Sequence, residues 1–159
     1  MDPNQPTGNS ATAQPDQQEL YNIFVGFGTK LAAGASDKLK GQTAQSPGIV
    51  GTIGDAVVDI INKVEDEGAA SGVRFDDAIK LHGTQNILAN LLSMAKIELN
   101  EDQIKQAVGH IVGRYIDEGL KSGKLTKDQV ASYGQQLEQQ GAPQSPAGPP
   151  PGQTPPMQR

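Results

Sequence analysis

The chain has no cysteine and no tryptophan, only two histidines, and three each of phenylalanine and tyrosine among 159 residues. Absence of cysteine removes disulfides, thiolate metal sites and thiol nucleophiles together, and leaves the redox compartment open. General acid–base chemistry is short of its commonest group, because only His82 and His110 are present. Neither belongs to an HExxH-type spacing, so both read as boundary or surface residues. No apolar run approaches the ~18 residues of a spanning helix. The opening MDPNQPTGNS has neither a basic nor an apolar stretch, so no secretory signal is expected. The 13 lysines and arginines are scattered through a chain of net charge −5, which disfavours contact with nucleic-acid phosphates.

Proline, by contrast, is present but confined. All 11 prolines fall outside the periodic apolar stretches, and seven lie in the closing GAPQSPAGPPPGQTPPMQR. Residues 1–16 form a second polar arm rich in Gln, Asn, Pro and Thr. The organisation expected is therefore an arm over 1–16, a helical domain over 17–140 and a Pro/Gln-rich tail over 141–159. Without its arms the chain keeps about 125 residues, enough to bury a core without staples. With 4% aromatic residues, that core must be built from Ile, Leu, Val and Ala. Pro143, Pro146 and Pro149 make two overlapping PxxP units, which favour polyproline II. Arg159 is the sole basic anchor available, so the tail reads as a semi-rigid spacer.

Leu20, Ile23, Phe24, Phe27 and Leu31 recur at helical spacing and predict a first helix over 17–39. Gly26, Gly28 and Gly34 each cost up to ~1 kcal/mol in a helix interior, so its second half is expected to fray. Gly41 to Ser46 is a linker, and Pro47 suits a first helical position. Ile49, Ile53, Val57, Ile60, Ile61 and Val64 predict a second helix to about Glu67, followed by a loop over 68–72. A short third helix over 75–81 is expected to stop at His82-Gly83, with a fourth from Thr84 to about Ile97. Asn100 with Gln103 has the register of a capping box, opening a helix along Ile104, Val108, Ile111, Val112, Tyr115, Ile116 and Leu120 that Gly123 ends. Thr126 with Gln129 repeats the signal for a last helix to about Gln140.

Candidate chemical sites fall away when their spacing is tested. Residues 118–129 imitate a calcium loop, with Gly123 at the sixth place. However, Leu120 occupies the third place and Gln129 the twelfth, so the carboxylate ligands are missing. Gly26-Phe27-Gly28-Thr29-Lys30 has neither Walker spacing nor, with Leu31 where a third glycine is needed, the dinucleotide pattern. The acidic zone of Glu65, Asp66, Glu67, Asp76 and Asp77 reads as solvated helix ends. Glycines at 26, 28 and 34, and at 48, 51 and 54, put small residues along helix faces and favour close packing in an assembly over insertion into a bilayer.

The expected fold is all-α: a small bundle or orthogonal array of about five helices with disordered or extended polar N- and C-terminal arms. No catalytic, cofactor-binding or metal site is expected. Leu20, Phe24 and Phe27 are the candidate protein-contact residues, since few aromatics concentrate there on a glycine-loosened helix. The alternative role for them is closing the bundle. In being short, cysteine-free, acidic, helical and Gln/Pro-tailed, the chain resembles virion-associated neck, tail, internal or ejected proteins of tailed bacteriophages. That resemblance is one of layout across the whole chain and carries no site residue with it. It implies a non-enzymatic structural or accessory subunit, cytoplasmic when made and then built into a virion. Its partners would be other proteins of the assembly, further copies of itself among them. Two further classes are a cytosolic adaptor docking a partner protein, and a membrane-active delivery protein using the glycine-rich helices.

Overall fold

Helices built on caps and glycine contacts account for most of residues 15–132, the part of the chain that the computed structural model describes. Residues 1–14, the part of the expected last helix over 133–140 and the tail over 141–159 lie outside the described residues. Four helices run in order: α1 (Gln17–Lys38), α2 (Ile49–Ala70), α3 (Asp77–Ala95) and α4 (Glu101–Ser122). A fifth, α5, opens at residue 127 and is described to residue 132. No strand occurs among the described residues, and the fold is all-α as the sequence predicts.

The helix starts follow from side chains that satisfy the first free N–H groups. Asp16, which the sequence places in the arm, caps α1 by accepting from the Glu19 N–H at 2.7 Å. Asp76 caps α3 through Ile79 N–H at 2.8 Å. Asn100 and Gln103 form the reciprocal box at 2.9 and 3.1 Å, and Thr126 with Gln129 does the same for α5. Pro47 does not take the first turn of α2. The N-cap is Gly48 in the left-handed region, with φ 71°, so proline precedes the cap.

Two expected breaks are absent. Helix α1 continues unbroken to Lys38, and α3 runs straight through His82 and Gly83. Both corrections have one physical cause, a reciprocal contact between α1 and α3. A Cβ on Gly83 would lie 2.3 Å from the Phe24 ring, and a Cβ on Gly28 would lie 2.3 Å from Ile87 Cδ1. Each glycine is the seat of a large side chain from the facing helix. Burying Phe24 and Ile87 completely is worth roughly 1.5–3 kcal/mol each, which outweighs the ~1 kcal/mol cost of a helical glycine. A third seat extends α2 past its expected end: Gly68 lies inside the helix, under the Phe75 ring. Phe75 in turn meets Phe24 edge-on, with centroids 5.0 Å apart.

Contacts of 17 with 76, 24 with 83 and 28 with 87 show that α1 and α3 run the same way. Helix α2 returns beside them and supplies most of the aliphatic core: Ile53, Val57, Val58, Ile60, Ile61 and Val64 are all buried. Helix α4 is attached to α2 in a more polar manner. Ala107 and Ile111 are buried, while Ile104, on the stripe expected to face inward, remains exposed. The chain divides into two compact units, residues 1–117 and 118–159. In the second, Gly123 turns the chain with φ 72°, Leu125 N–H donates to the Gly119 carbonyl at 3.0 Å, and Leu125 covers Gly119.

Candidate protein-contact site

Helix α1 divides its apolar residues between two faces. Phe24, Gly28, Ala32 and Ser36 follow one another at four-residue intervals and are buried. Ser36 keeps its hydroxyl satisfied by donating to the Ala33 carbonyl at 2.8 Å. Phe27 stands three residues after Phe24, about 60° round the helix, and is 43% exposed. Of the three residues expected to make contacts, Phe24 has no exposed surface and Leu20 lies half-buried against the core. A contact through the Phe24 ring would require α1 and α3 to part. Of the three, Phe27 keeps the most exposed surface, and the Lys30 ammonium sits over its ring, 5.7 Å from the centroid.

Beside Phe27 lies a cleft of about 480 Å³ between the middle of α1 and the second half of α2. Leu31, Val64 and Ala70 line it with apolar surface, and Lys30, Lys63, Asp66 and Glu67 line it with charge.

Several titratable groups elsewhere are tied into structural contacts. The sequence-level acidic zone is dispersed: Glu65 turns inward to Lys80 Nζ at 2.8 Å and accepts from Tyr115 Oη at 2.8 Å. Asp76, besides capping α3, accepts from Gln17 Nε2 at 2.6 Å. The Ile79 N–H, with the Gln17 amide second, holds its carboxyl below the ordinary 3.8. On the α2–α4 seam, His110 Nε2 lies 2.7 Å from Asp55 Oδ1, and Arg114 bridges Asp55 at 2.7 Å and Asp59 at 3.0 Å. The hydrogen bond from His110, then the Arg114 guanidinium, lowers the Asp55 carboxyl despite some desolvation. The His110 ring occupies the place of a Gly54 side chain. His82 is exposed on α3, in a shallow groove with Gln17, Tyr21, Ile79 and Asn86. Among the described residues no three His, Asp or Glu side chains gather as a metal site would require, and no helix is long and apolar enough to cross a membrane.

No known family, curated protein or solved structure matches this chain.

The weight of any functional reading therefore falls on the site itself. Sequence periodicity finds Phe27 but cannot separate it from Phe24, since both belong to the same apolar stripe. The cleft beside it was missed, because its second wall comes from Lys63–Ala70, more than thirty residues away. Glycines on α1 also divide: Gly28 is used inside the molecule, whereas added Cβ atoms on Gly26 and Gly34 would meet nothing within 4 Å.

Proposed function

We propose that this chain is a non-enzymatic structural or accessory subunit of a larger macromolecular assembly, of the kind found in tailed-bacteriophage virions. Its helical body packs against other proteins, and its polar arms act as tethers. The observation that carries this reading is Phe27, a large aromatic side chain left 43% exposed beside an apolar cleft. Buried anchors of this type dominate protein–protein contacts, because a ring excluded from water on binding contributes area at little entropic cost. Glu65, Asp76, Asp55, His110 and Arg114 are engaged in caps, seams and ion pairs, which supports a packing role for them over a chemical one.

The same cleft supports a second reading, a cytosolic adaptor that docks one partner protein. Rate-zonal sedimentation of lysate from producing cells separates the two. The assembly reading expects a substantial share of the protein in large particles, with Phe27→Glu moving it to the free fraction while its melting temperature is kept. Recovery of the wild-type chain only as a free species or in a small one-to-one complex would overturn it in favour of the adaptor.

A further inference from the structure

We infer that α4 is a releasable strap: its residues 101–117 leave α2 and unwind while α1, α2 and α3 stay closed on one another. The inference does not depend on the assembly reading above. Its ground is a difference in how the helices are fastened. The backbones of α1, α2 and α3 approach one another closely, and α4 stands outside that contact. Up to residue 117 its only buried residues are Ala107 and Ile111, with Val108 and Tyr115 partly buried against the core. The glycines differ in the same way. Gly28, Gly68 and Gly83 each seat a large side chain, whereas a Cβ on Gly109 or Gly113 would meet nothing within 4 Å. Each of these two therefore weakens the helical state of α4 by about fivefold with no contact in return.

What holds α4 is mostly polar, and release strands no buried carboxylate among these contacts. Gln103 Nε2 donates to the Ala44 carbonyl at 2.7 Å. His110 and Arg114 meet Asp55 and Asp59, all four side chains between 31% and 59% exposed, so water takes over each carboxylate on opening. Tyr115 donates to Glu65, but Glu65 also holds Lys80 at 2.8 Å, and that pair belongs to the part that stays closed. A buried charge left alone would oppose opening strongly, and Glu65 is not left so. The junction suits release as well, because α3 closes its own end. Lys96 turns left-handed at φ 57°, the Lys96 and Ile97 N–H groups donate to the Ser93 and Leu92 carbonyls, and Ile97 is buried. Glu98 and Asn100, beyond it, are exposed. Opening uncovers the side of α2 that carries Gly54, where the His110 ring lies in the closed state, and Val58 one turn further on.

Native-state hydrogen exchange on the full chain, in urea below the unfolding transition, tests this directly. Once corrected for intrinsic rates, amides of residues 107–117 are expected to exchange at least about tenfold faster than those of 24–32, 53–64 and 83–91. Ile87→Val removes one buried methyl group between α1 and α3. It should hasten exchange in those two helices about threefold or more and leave α4 within about twofold of wild type. Arg114→Gln should hasten α4 exchange at least about threefold. Protection of α4 equal to that of α1–α3, or equal acceleration of all four helices by Ile87→Val, would mean that α4 opens only when the whole body unfolds and would overturn the inference. Indifference of α4 to Arg114→Gln would overturn it too, by removing the clasp.

Discussion

Gly26 and Gly28 stand two residues apart on α1 and face opposite surroundings. A methyl group on Gly28 would collide with the buried Ile87, while one on Gly26 would meet nothing within 4 Å. Phe24 and Phe27 repeat the contrast with large side chains, one fully enclosed and the other 43% exposed. Helix α1 thus has an inner face committed to folding and an outer face that folding leaves unused. A helix this rich in glycine holds together because its inner face is clamped by α3, so the outer face needs no packing of its own to stay helical.

The contrast is broken or sharpened by substitutions placed in matched pairs. Phe24→Ala is expected to be the most damaging, at about 3–5 kcal/mol, because it empties the seat above Gly83 and removes the partner of Phe75. Urea unfolding followed by circular dichroism reads it directly. Gly28→Ala comes next. Overpacking against a side chain that cannot withdraw costs ~1–3 kcal/mol, and the gain in helix propensity offsets up to ~1 kcal/mol of that, leaving a net loss. A melting temperature equal to or above that of the wild type would show that Ile87 has room to move.

At the start of the inner face, Asp76→Ala removes the α3 cap and the Gln17 contact, for about 1 kcal/mol. The carboxyl of Asp76, like that of Asp55, is held below its ordinary 3.8 in the folded state. At acid pH the unfolded chain then binds more protons at these sites than the folded one. Their contribution is fully present above 3.8 and disappears as pH falls through the lower folded values. Urea titrations at successive pH values should show that acid loss in the wild type and a shallower one in Asp76→Ala. Equal slopes would detach the cap from acid stability. Gly26→Ala has the opposite sign to Gly28→Ala, stabilising by up to ~1 kcal/mol through helix propensity alone.

Much of this frame was legible in the sequence. Caps at Asn100/Gln103 and Thr126/Gln129 were found because a capping box is local: both partners lie within one turn. The stripe of α2 was found because it is buried almost all along its length. His82-Gly83 misled, since the cost of glycine is visible locally whereas the Phe24 ring that offsets it arrives from fifty-nine residues away. Pro47 misled by one step: a left-handed Gly48 can cap a helix as well as a proline can begin one. Periodicity along α1 places Phe24 and Phe27 together in one apolar set. Which of Phe24 and Phe27 faces outward depends on where α3 crosses α1, and that crossing is set by the two glycine seats rather than by any pattern along α1.

The outer face is the central claim, and Phe27→Glu tests it most directly when sedimentation in cell lysate and stability are measured together on the full chain. We expect the unfolding free energy to stay within about 0.5 kcal/mol of wild type. The share of the chain sedimenting in large particles should pass to the free fraction. A loss of stability approaching that of Phe24→Ala would place Phe27 in the core, and an unchanged share at unchanged stability would remove its face from the account of how this protein makes contacts.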